Sequence, residues 1–247
     1  MSRRESRPEP WNAALLKTGK PKNGVLQLAQ SQTQQRQVES EVPHAKLYND
    51  GTIFVGPVRA RYPHVFRPYK GDDDKGDGKF GIVALMPKGA EYRKAKDLIR
   101  DHILRMIRDN KLKDLPAANK FLRDGDDAAR EEYEGMFTIS ASEVRRPQVR
   151  DKYRDPKTKK PKILKPGEDE DRIYAGCWVN ILIRPWFMNN KFGKRVNAGL
   201  VAVQFVDDDE PLGPGRISEE AVDDTFDEFA DEGDSGFDDD LGTEDEL

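Results

Sequence analysis

Cationic and aromatic side chains are interleaved in three segments of this chain. Lysine and arginine can follow a phosphate backbone, and flat rings can stack on unpaired bases, which is the chemistry of single-stranded nucleic-acid binding. Such an interface needs no code for reading the order of the bases. The three segments predict a DNA-contacting set that comprises Arg59, Arg61, Tyr62, Phe66, Arg67, Lys70, Arg145, Arg146, Arg150, Lys152, Tyr153, Arg154, Trp186, Lys191, Phe192, Lys194 and Arg195.

The aromatic rings of these segments and their neighbours can also belong to a hydrophobic core. Core packing is the better interpretation for rings in apolar stretches, and we expect it for Phe80, Phe137, Phe205 and Trp178. For Tyr153, which lies among basic residues, the sequence leaves stacking and packing equally open. The same holds for Phe192, which lies in a turn.

Catalytic and metal-binding patterns are sparse. The three histidines are widely scattered and the chain has one cysteine, so the spacing of a metal-ligand set is absent. The sequence also contains no phosphate-binding loop and no nucleophile elbow. Two acidic clusters, Asp72–Asp74 and Gly167–Asp171, could serve a metal-dependent nuclease, but solvated loop charge accounts for them better. We therefore expect no catalytic residue, metal or cofactor, with the nuclease as the enzyme alternative.

Charge is segregated along the chain. Residues 207–247 contain 19 acidic residues and one basic residue, a net charge of −18, whereas residues 1–206 contain 41 basic and 27 acidic residues, a net charge of +14. A basic body suits a polyanion partner, and an acidic tail on the same chain can compete with that partner. We expect residues 207–247 to be a disordered tail that can be deleted without loss of the fold. Its aromatic residues are the expected contacts with partner proteins: Phe226, Phe229 and Phe237. A DNA mimic acting through this tail is a further alternative, and it predicts no DNA binding by the body.

The elements that must position these groups follow from local patterns. Polar residues 1–46 predict a disordered N-terminal extension, and residues 47–206 predict one domain. Apolar runs and alternation predict about five strands, and three- and four-residue spacing predicts a helix over Ala90–Asn110. The basic segment Arg145–Lys165 is rich in proline and is expected to be a long arm or loop. A mainly β fold, an OB-fold-like five-stranded barrel with an inserted helix, satisfies this count and commonly binds oligonucleotides.

The sequence also limits the compartment. Its apolar runs are shorter than the roughly 18 residues of a membrane span, so we expect no membrane partner. The lone Cys177 fits a reducing cytoplasm and is expected to be a small buried hydrophobe rather than a reactive thiol.

Two strand-like segments, IYAGCWVNILIRPWFMNN and NAGLVAVQFVDDDEPLG, resemble a bacteriophage family first catalogued as a domain of unknown function. The segments VGPVRARYPHVFRPY and KFGIVALMPKG are similar to that family's first two strands. The resemblance implies a single-stranded DNA-binding OB-fold that acts in replication and recombination in the host bacterial cytoplasm. It also implies an acidic tail that contacts other replication proteins. Strand annealing is the alternative activity, and homodimer formation and a preference between DNA and RNA stay open.

Overall fold

The computed structural model describes residues 36–71, 76–191, 193–213 and 226. From Gln37 on, the described residues belong to one unit. In the described part of residues 36–213, one α-helix, α1 (Arg93–Asp109), and four single 3₁₀ turns accompany the strands. The strands are β1 (Val38–Val42), β2 (Ala45–Tyr48), β3 (Ile53–Tyr69), β4 (Lys79–Pro87), β5 (Leu122–Asp124), β6 (Met136–Glu143), β7 (Gln148–Arg154), β8 (Pro161–Ile163), β9 (Trp178–Asn190) and β10 (Gly193–Asp207).

The strands form one sheet in the order β5-β6-β4-β3-β9-β10-β7-β8, and β1 and β2 extend it beside β3. All pairs are antiparallel except β7 with β10. The sheet curls so that β6 approaches β10, and Lys120 bridges to Val196 beside that seam. The five strands β6-β4-β3-β9-β10 thus make a partly open barrel, which confirms the predicted OB-fold-like, mainly β class with one helix.

The core lies inside this barrel because β3 and β9 bury every second residue. Val55 pairs with Ile181 and Ile53 pairs with Ile183, and these four side chains are essentially inaccessible to solvent. The helix contributes isoleucines at every fourth position to the same core and leaves its basic residues outside. Within the described residues, no helix combines the length and the apolar character that a membrane crossing requires.

Cys177 is a fully buried member of the core, as the sequence predicts. Burial raises the pKa of its thiol to about 11. Since the thiolate is the reactive form, this thiol is inert at neutral pH.

Two elements differ from the sequence expectation. Strand β1 and the start of β2 fall within residues 1–46, for which the sequence predicts disorder, whereas residues 1–35 lie outside the described part. Four of the five residues of β1, VESEV, are exposed, and for this reason the strand shows no hydrophobic pattern that would predict it. Its backbone hydrogen bonds with β2 make it a strand. Likewise the segment Arg145–Lys165 is a β7–β8 hairpin rather than a loose arm. The buried Val149 and Leu164 anchor it, and β7 pairs with β10.

The chain after β10 stays attached to the body as far as Gly213. We call Asp208–Gly213 the tail root. Arg59 Nη2 donates a hydrogen bond to the carbonyl of Glu210 at 2.7 Å, and Arg61 Nη1 donates one to the carbonyl of Leu212 at 2.7 Å. The two arginine side chains are only 17% and 14% exposed, so these bonds give acceptors to guanidinium groups that lie largely out of water, and Arg61 Nε is left without a hydrogen-bond partner among the described residues.

Aromatic side chains near the start of β9 hold the same segment. Trp178 Nε1 donates to a carboxylate oxygen of Asp209 at 2.8 Å, and the hydroxyl of Tyr174 donates to a carboxylate oxygen of Asp208 at 3.1 Å. The amide of Leu212 donates to the carbonyl of Ala175 at 2.8 Å. Fixed side-chain donors bind these backbone and carboxylate acceptors, so residues 208–213 are attached to the body together with the predicted domain, residues 47–206.

This docking predicts that two truncations behave differently. A chain that ends at Gly213 should keep the melting temperature of the full chain. A chain that ends at Asp207 keeps β10 but lacks the acceptors of Arg59, Arg61 and Trp178, and hydrogen bonds to charged groups are worth about 1.5–3 kcal/mol each. We expect its free energy of unfolding, measured by urea denaturation, to fall by about 2–4 kcal/mol. Equal stability of the two truncated chains would contradict the structural role of the tail root.

Candidate nucleic-acid interface

A groove of about 490 Å³ lies between β3, β4, β6 and the start of β10, with residues 118–121 along one side. Strand register shapes its floor. Gly81 on β4 lies between His64 on β3 and Ser142 on β6. Because Gly81 has no side chain, the sheet is lowest there and the neighbouring side chains become walls. The floor of the groove is therefore built by the barrel strands, and residues 118–121 add one side.

Three of the aromatic rings that line this groove are at least partly exposed. Tyr69, at the end of β3, is 60% exposed, and its ring lies 4.9 Å from that of His64. Burial lowers the pKa of His64, so its imidazole is uncharged at pH 7. Phe80, at the start of β4, is half-buried, and Tyr62 is exposed at the edge. The groove thus presents flat apolar surfaces to solvent.

Tyr62 is held in place by two arginines. Its backbone has a φ of 49°, and its hydroxyl accepts hydrogen bonds from Arg130 Nη1 at 2.6 Å and Arg61 Nη2 at 3.3 Å. The Arg61 guanidinium also lies 4.3 Å from the ring centroid and pairs with Glu132 at 3.0 Å. Since Arg61 also binds the carbonyl of Leu212, one side chain links the edge of the groove to the tail root.

Cations surround the rings. Lys79 and Arg195 are exposed on the groove, and the structure gives neither an ion pair among the described residues. Arg123 is exposed there too and donates from Nε to the carbonyl of Lys120, whose own ammonium pairs with Asp114 at 2.7 Å. Among the described residues that line the groove, none is acidic. The groove is therefore positively charged as well as aromatic.

The structure distributes the sequence-predicted residues of the first segment over several roles. Tyr62 lines the groove, but Phe66 is only 8% exposed and packs in the core, which corrects its assignment as a stacking residue. Arg59 and Arg61 bind the tail root through their guanidinium groups and do not line the groove. Arg67 is exposed and pairs with Glu170 at 3.0 Å, and Lys70 is exposed close to the groove.

The predicted residues on the β7–β8 hairpin lie outside the groove, and some of their charge is used internally. Lys152 pairs with Asp207 at 2.8 Å, which raises the pKa of the lysine and lowers that of the aspartate. Arg150 donates to the side chain of Gln148, and Arg154 donates to the backbone of the hairpin. Side chains that stay exposed there are Tyr153, which is 61% exposed, Arg145 and Arg146.

The predicted residues of the β9–β10 hairpin lie at its outer end. Arg195 faces the groove, and Trp186 and Lys194 are exposed. Lys191 is exposed and already interacts with another group of the protein. Phe192 lies outside the described residues. Of the full predicted set, only Tyr62 and Arg195 line the groove itself, as far as the described residues show.

The predicted set omits four groove residues, Tyr69, Phe80, Lys79 and Arg123, although Tyr69 belongs to the first of the three interleaved segments. The sequence predicts Phe80 in the core together with Phe137 and Phe205. Phe205 is fully buried and Phe137 packs against the core, as expected, but Phe80 is half-exposed because β4 runs out of the barrel at its start. The Lys-Phe pair that opens β4 carries the same mixture of charge and ring as the predicted segments.

The acidic cluster Gly167–Asp171 has partners within the folded body. Asp169 pairs with Lys162 at 2.9 Å, and Glu170 accepts a hydrogen bond from the amide of Gly167 at 2.8 Å. Across the described ranges, no three His, Cys, Asp or Glu side chains are arranged as metal ligands, and Asp72–Asp74 falls in the gap between those ranges. Part of the acidic tail also lies outside the described residues. Phe226 is 67% exposed, whereas Phe229 and Phe237 lie outside the described residues.

A barrel of this kind with a cationic, aromatic-lined groove belongs to the class of oligonucleotide-binding folds. Residues 51–235 match the family described as Enterobacter phage Enc34, ssDNA-binding protein, and the chain is a member of that family.

Three comparisons show how far the likeness extends. Protein p50 of Acyrthosiphon pisum secondary endosymbiont phage 1, a putative protein, is 38% identical over 188 residues, which cover 70% of this chain and 92% of p50. The single-stranded DNA-binding protein from bacteriophage Enc34 in complex with ssDNA is 36% identical with a TM-score of 0.64, and the match covers 73% of this chain and 99% of that one. A second structure of the Enc34 protein is 35% identical with a TM-score of 0.62, over 76% and 98% of the two chains.

Proposed function

We propose that this protein binds single-stranded DNA in the groove between β3, β4, β6 and β10. The observation that carries the proposal is the groove itself, where exposed rings and unpaired cations converge without an acidic lining residue in the described part. Family membership supports it, because the Enc34 relative is a single-stranded DNA-binding protein whose structure in complex with ssDNA matches this barrel over nearly its full length.

The proposed mechanism combines two interactions. Lys79, Arg123 and Arg195 neutralise phosphates, while Tyr69 and Phe80 stack on bases. Both interactions tolerate any base, so binding has little sequence preference. The protein coats exposed strands during phage replication and recombination in the host cytoplasm and leaves them chemically unchanged. A labelled strand incubated with the protein and Mg²⁺ is expected to be recovered intact, which separates this function from that of a nuclease.

We further infer that the acidic tail regulates access to the groove and recruits partner proteins. Beyond Gly213 the tail carries a net charge of −14, equal in size to the +14 of residues 1–206. The tail root fixes where this charge leaves the body, since Arg61 binds both Leu212 and Tyr62 and Tyr62 lines the groove. A tethered polyanion that starts beside the groove has a high effective concentration there.

Two ring substitutions should separate binding from stability. Tyr69→Ala should weaken binding of single-stranded DNA by about 1–3 kcal/mol, the value of one base–aromatic stack, with little change in melting temperature. Phe66→Ala should do the reverse, because truncation of a buried phenylalanine costs about 3–5 kcal/mol of folding stability. Fluorescence anisotropy and thermal denaturation measure the two effects, and Tyr69→Phe is the control that keeps the ring. Full affinity of Tyr69→Ala would remove this ring from the interface.

The cations should determine the salt dependence. Replacing Lys79, Arg123 and Arg195 with alanine should reduce the slope of log K against log salt concentration by about 0.7 for each phosphate that is no longer neutralised, or roughly 2 in all. The matched control replaces three exposed cations of α1, Lys94, Arg100 and Arg108, and changes the net charge equally. If both triple variants reduced the slope to the same extent, the protein's net charge and not the groove would account for it.

Deleting residues 214–247 should tighten DNA binding at low salt and leave the fold intact, because the competing polyanion is removed while the tail root stays. The gain should shrink as salt rises, since the Debye length falls from about 30 Å at 0.01 M to about 3 Å at 1 M. Titrations of the full and the shortened chain at several salt concentrations measure it. Equal affinities at low salt would rule out self-competition and leave recruitment as the tail's role.

A further inference from the structure

The outer face of the sheet carries an apolar row that the proposed function does not use. Phe54 on β3 pairs with Leu182 on β9, which pairs with Ala202 on β10, so three apolar side chains lie side by side across three strands. Their chain neighbours Ile53, Ile181 and Val203 point into the core, and the row therefore faces the other way. All three members of the row are partly exposed.

The β7–β8 hairpin turns this row into a pocket. Arg150 and Pro161 form a wall beside Ala202, and the pocket, which is open to solvent, has a volume of about 200 Å³. For comparison, an apolar cavity of about 150 Å³ accommodates a benzene ring. The pocket therefore has room for one phenylalanine side chain.

The polar groups in the pocket are already paired. Asn180 Nδ2 donates to Gln204 Oε1 at 3.1 Å, and Gln204 Nε2 donates to the carbonyl of Asp151 at 3.3 Å. A nucleobase seated here would find few partners for its own donors and acceptors, and unpaired buried polar groups are costly. A phenyl ring has no such groups. The pocket favours an apolar side chain over a base.

The surroundings of the pocket favour a ring with acidic neighbours. Arg150 lies on its wall, and Arg184, two residues beyond Leu182 on the same face of β9, is exposed. The β7–β8 hairpin, residues 148–163, contains seven basic and two acidic residues, and two of the seven, Lys152 and Lys162, pair with Asp207 and Asp169 outside the hairpin. Of the two acidic residues, Asp151 is buried and Asp155 accepts backbone hydrogen bonds within its own turn. The rim is thus positively charged.

We propose that the segment Asp223–Glu232 of the same chain docks on this face and places Phe229 in the pocket, while Phe226 stays exposed beside it. Its sequence, DDTFDEFADE, brings two phenylalanines and six carboxylates, which is the complement of an apolar pocket with a cationic rim. The match to the family extends to residue 235, beyond the body, and so includes both rings but not Phe237.

The chain is long enough for this contact. The tail root already lies on the same face of β9, because Trp178 and Leu182 have the same orientation along the strand and Trp178 binds Asp209. Arg61, which holds the end of the root, is seven positions from Phe54 along β3, about 23 Å. The 13 residues from Gly213 to Phe226 span on average about 20 Å as a flexible chain and at most about 45 Å.

The test uses the full chain without DNA, so that its result is independent of the proposed function. Methyl resonances of Leu182 and Ala202 report on the pocket, and those of Val83 report on the groove. Replacing both Phe226 and Phe229 with alanine should shift the pocket resonances and leave Val83 unchanged. Phe237→Ala is the matched control and should shift none of them.

Three results would overturn the proposal. Unchanged pocket resonances in the double variant would mean that the segment does not dock. A shift of the Val83 resonances in their place would mean that the phenylalanine rings lie in the groove. A chemical-shift difference between the full chain and the double variant that grows with protein concentration would mean that the rings occupy a second copy of the chain.

A substitution in the pocket gives a second measurement. Ala202→Glu fills the pocket and adds a charge that repels the segment, so it should reproduce the shift of Leu182 seen in the double variant. Adding the two phenylalanine substitutions to Ala202→Glu should then cause no further change, because contacting groups are not additive. Additive shifts would contradict docking, and the tail variants decide the question even if Ala202→Glu fails to fold.

Discussion

The pairing of β3 with β9 is the constraint on which the rest of this structure depends. On its inner face the register sets Ile53 against Ile183 in the solvent-free core, where apolar burial supplies the main stabilisation. On its outer face the same register sets Phe54 beside Leu182, which creates the apolar row. Arg59 follows on β3 and binds the tail root, and β3 then continues as a wall of the groove. Core, groove and tail root therefore have fixed relative positions.

Positive charge and DNA contact are different properties in this protein. Arg59 and Arg61 belong to a basic, aromatic segment, yet their guanidinium groups are largely buried and bind backbone carbonyls. A buried guanidinium must find acceptors within the protein, whereas an exposed one keeps its charge for a ligand. Lys79 and Arg195 carry exposed charges of this second kind. Counting cations along the chain therefore overestimates the interface in one place and overlooks it in another.

The acidic segment relates to the body in two physically distinct ways under our proposals. Its charge competes with phosphates over a distance that salt shortens. Its Phe229 fits an apolar pocket, a contact that depends on burial and is much less sensitive to salt. The root at Asp208–Gly213 serves both, because it fixes the point from which the remaining chain departs. Salt concentration can thus separate the two interactions in one chain.

Local patterns in the sequence by themselves determined β4, α1, β6 and the β9–β10 hairpin, because hydrophobic period is a property of neighbouring residues. They also determined the fold class and the kind of ligand. Only the tertiary structure decided that β1 and β7 are strands, since distant partners supply their backbone hydrogen bonds. It also decided that Phe66 is buried while Phe80 and Arg123 face the groove. Two phenylalanines can therefore differ in solvent exposure, because exposure depends on which other residues the folded barrel places beside each ring.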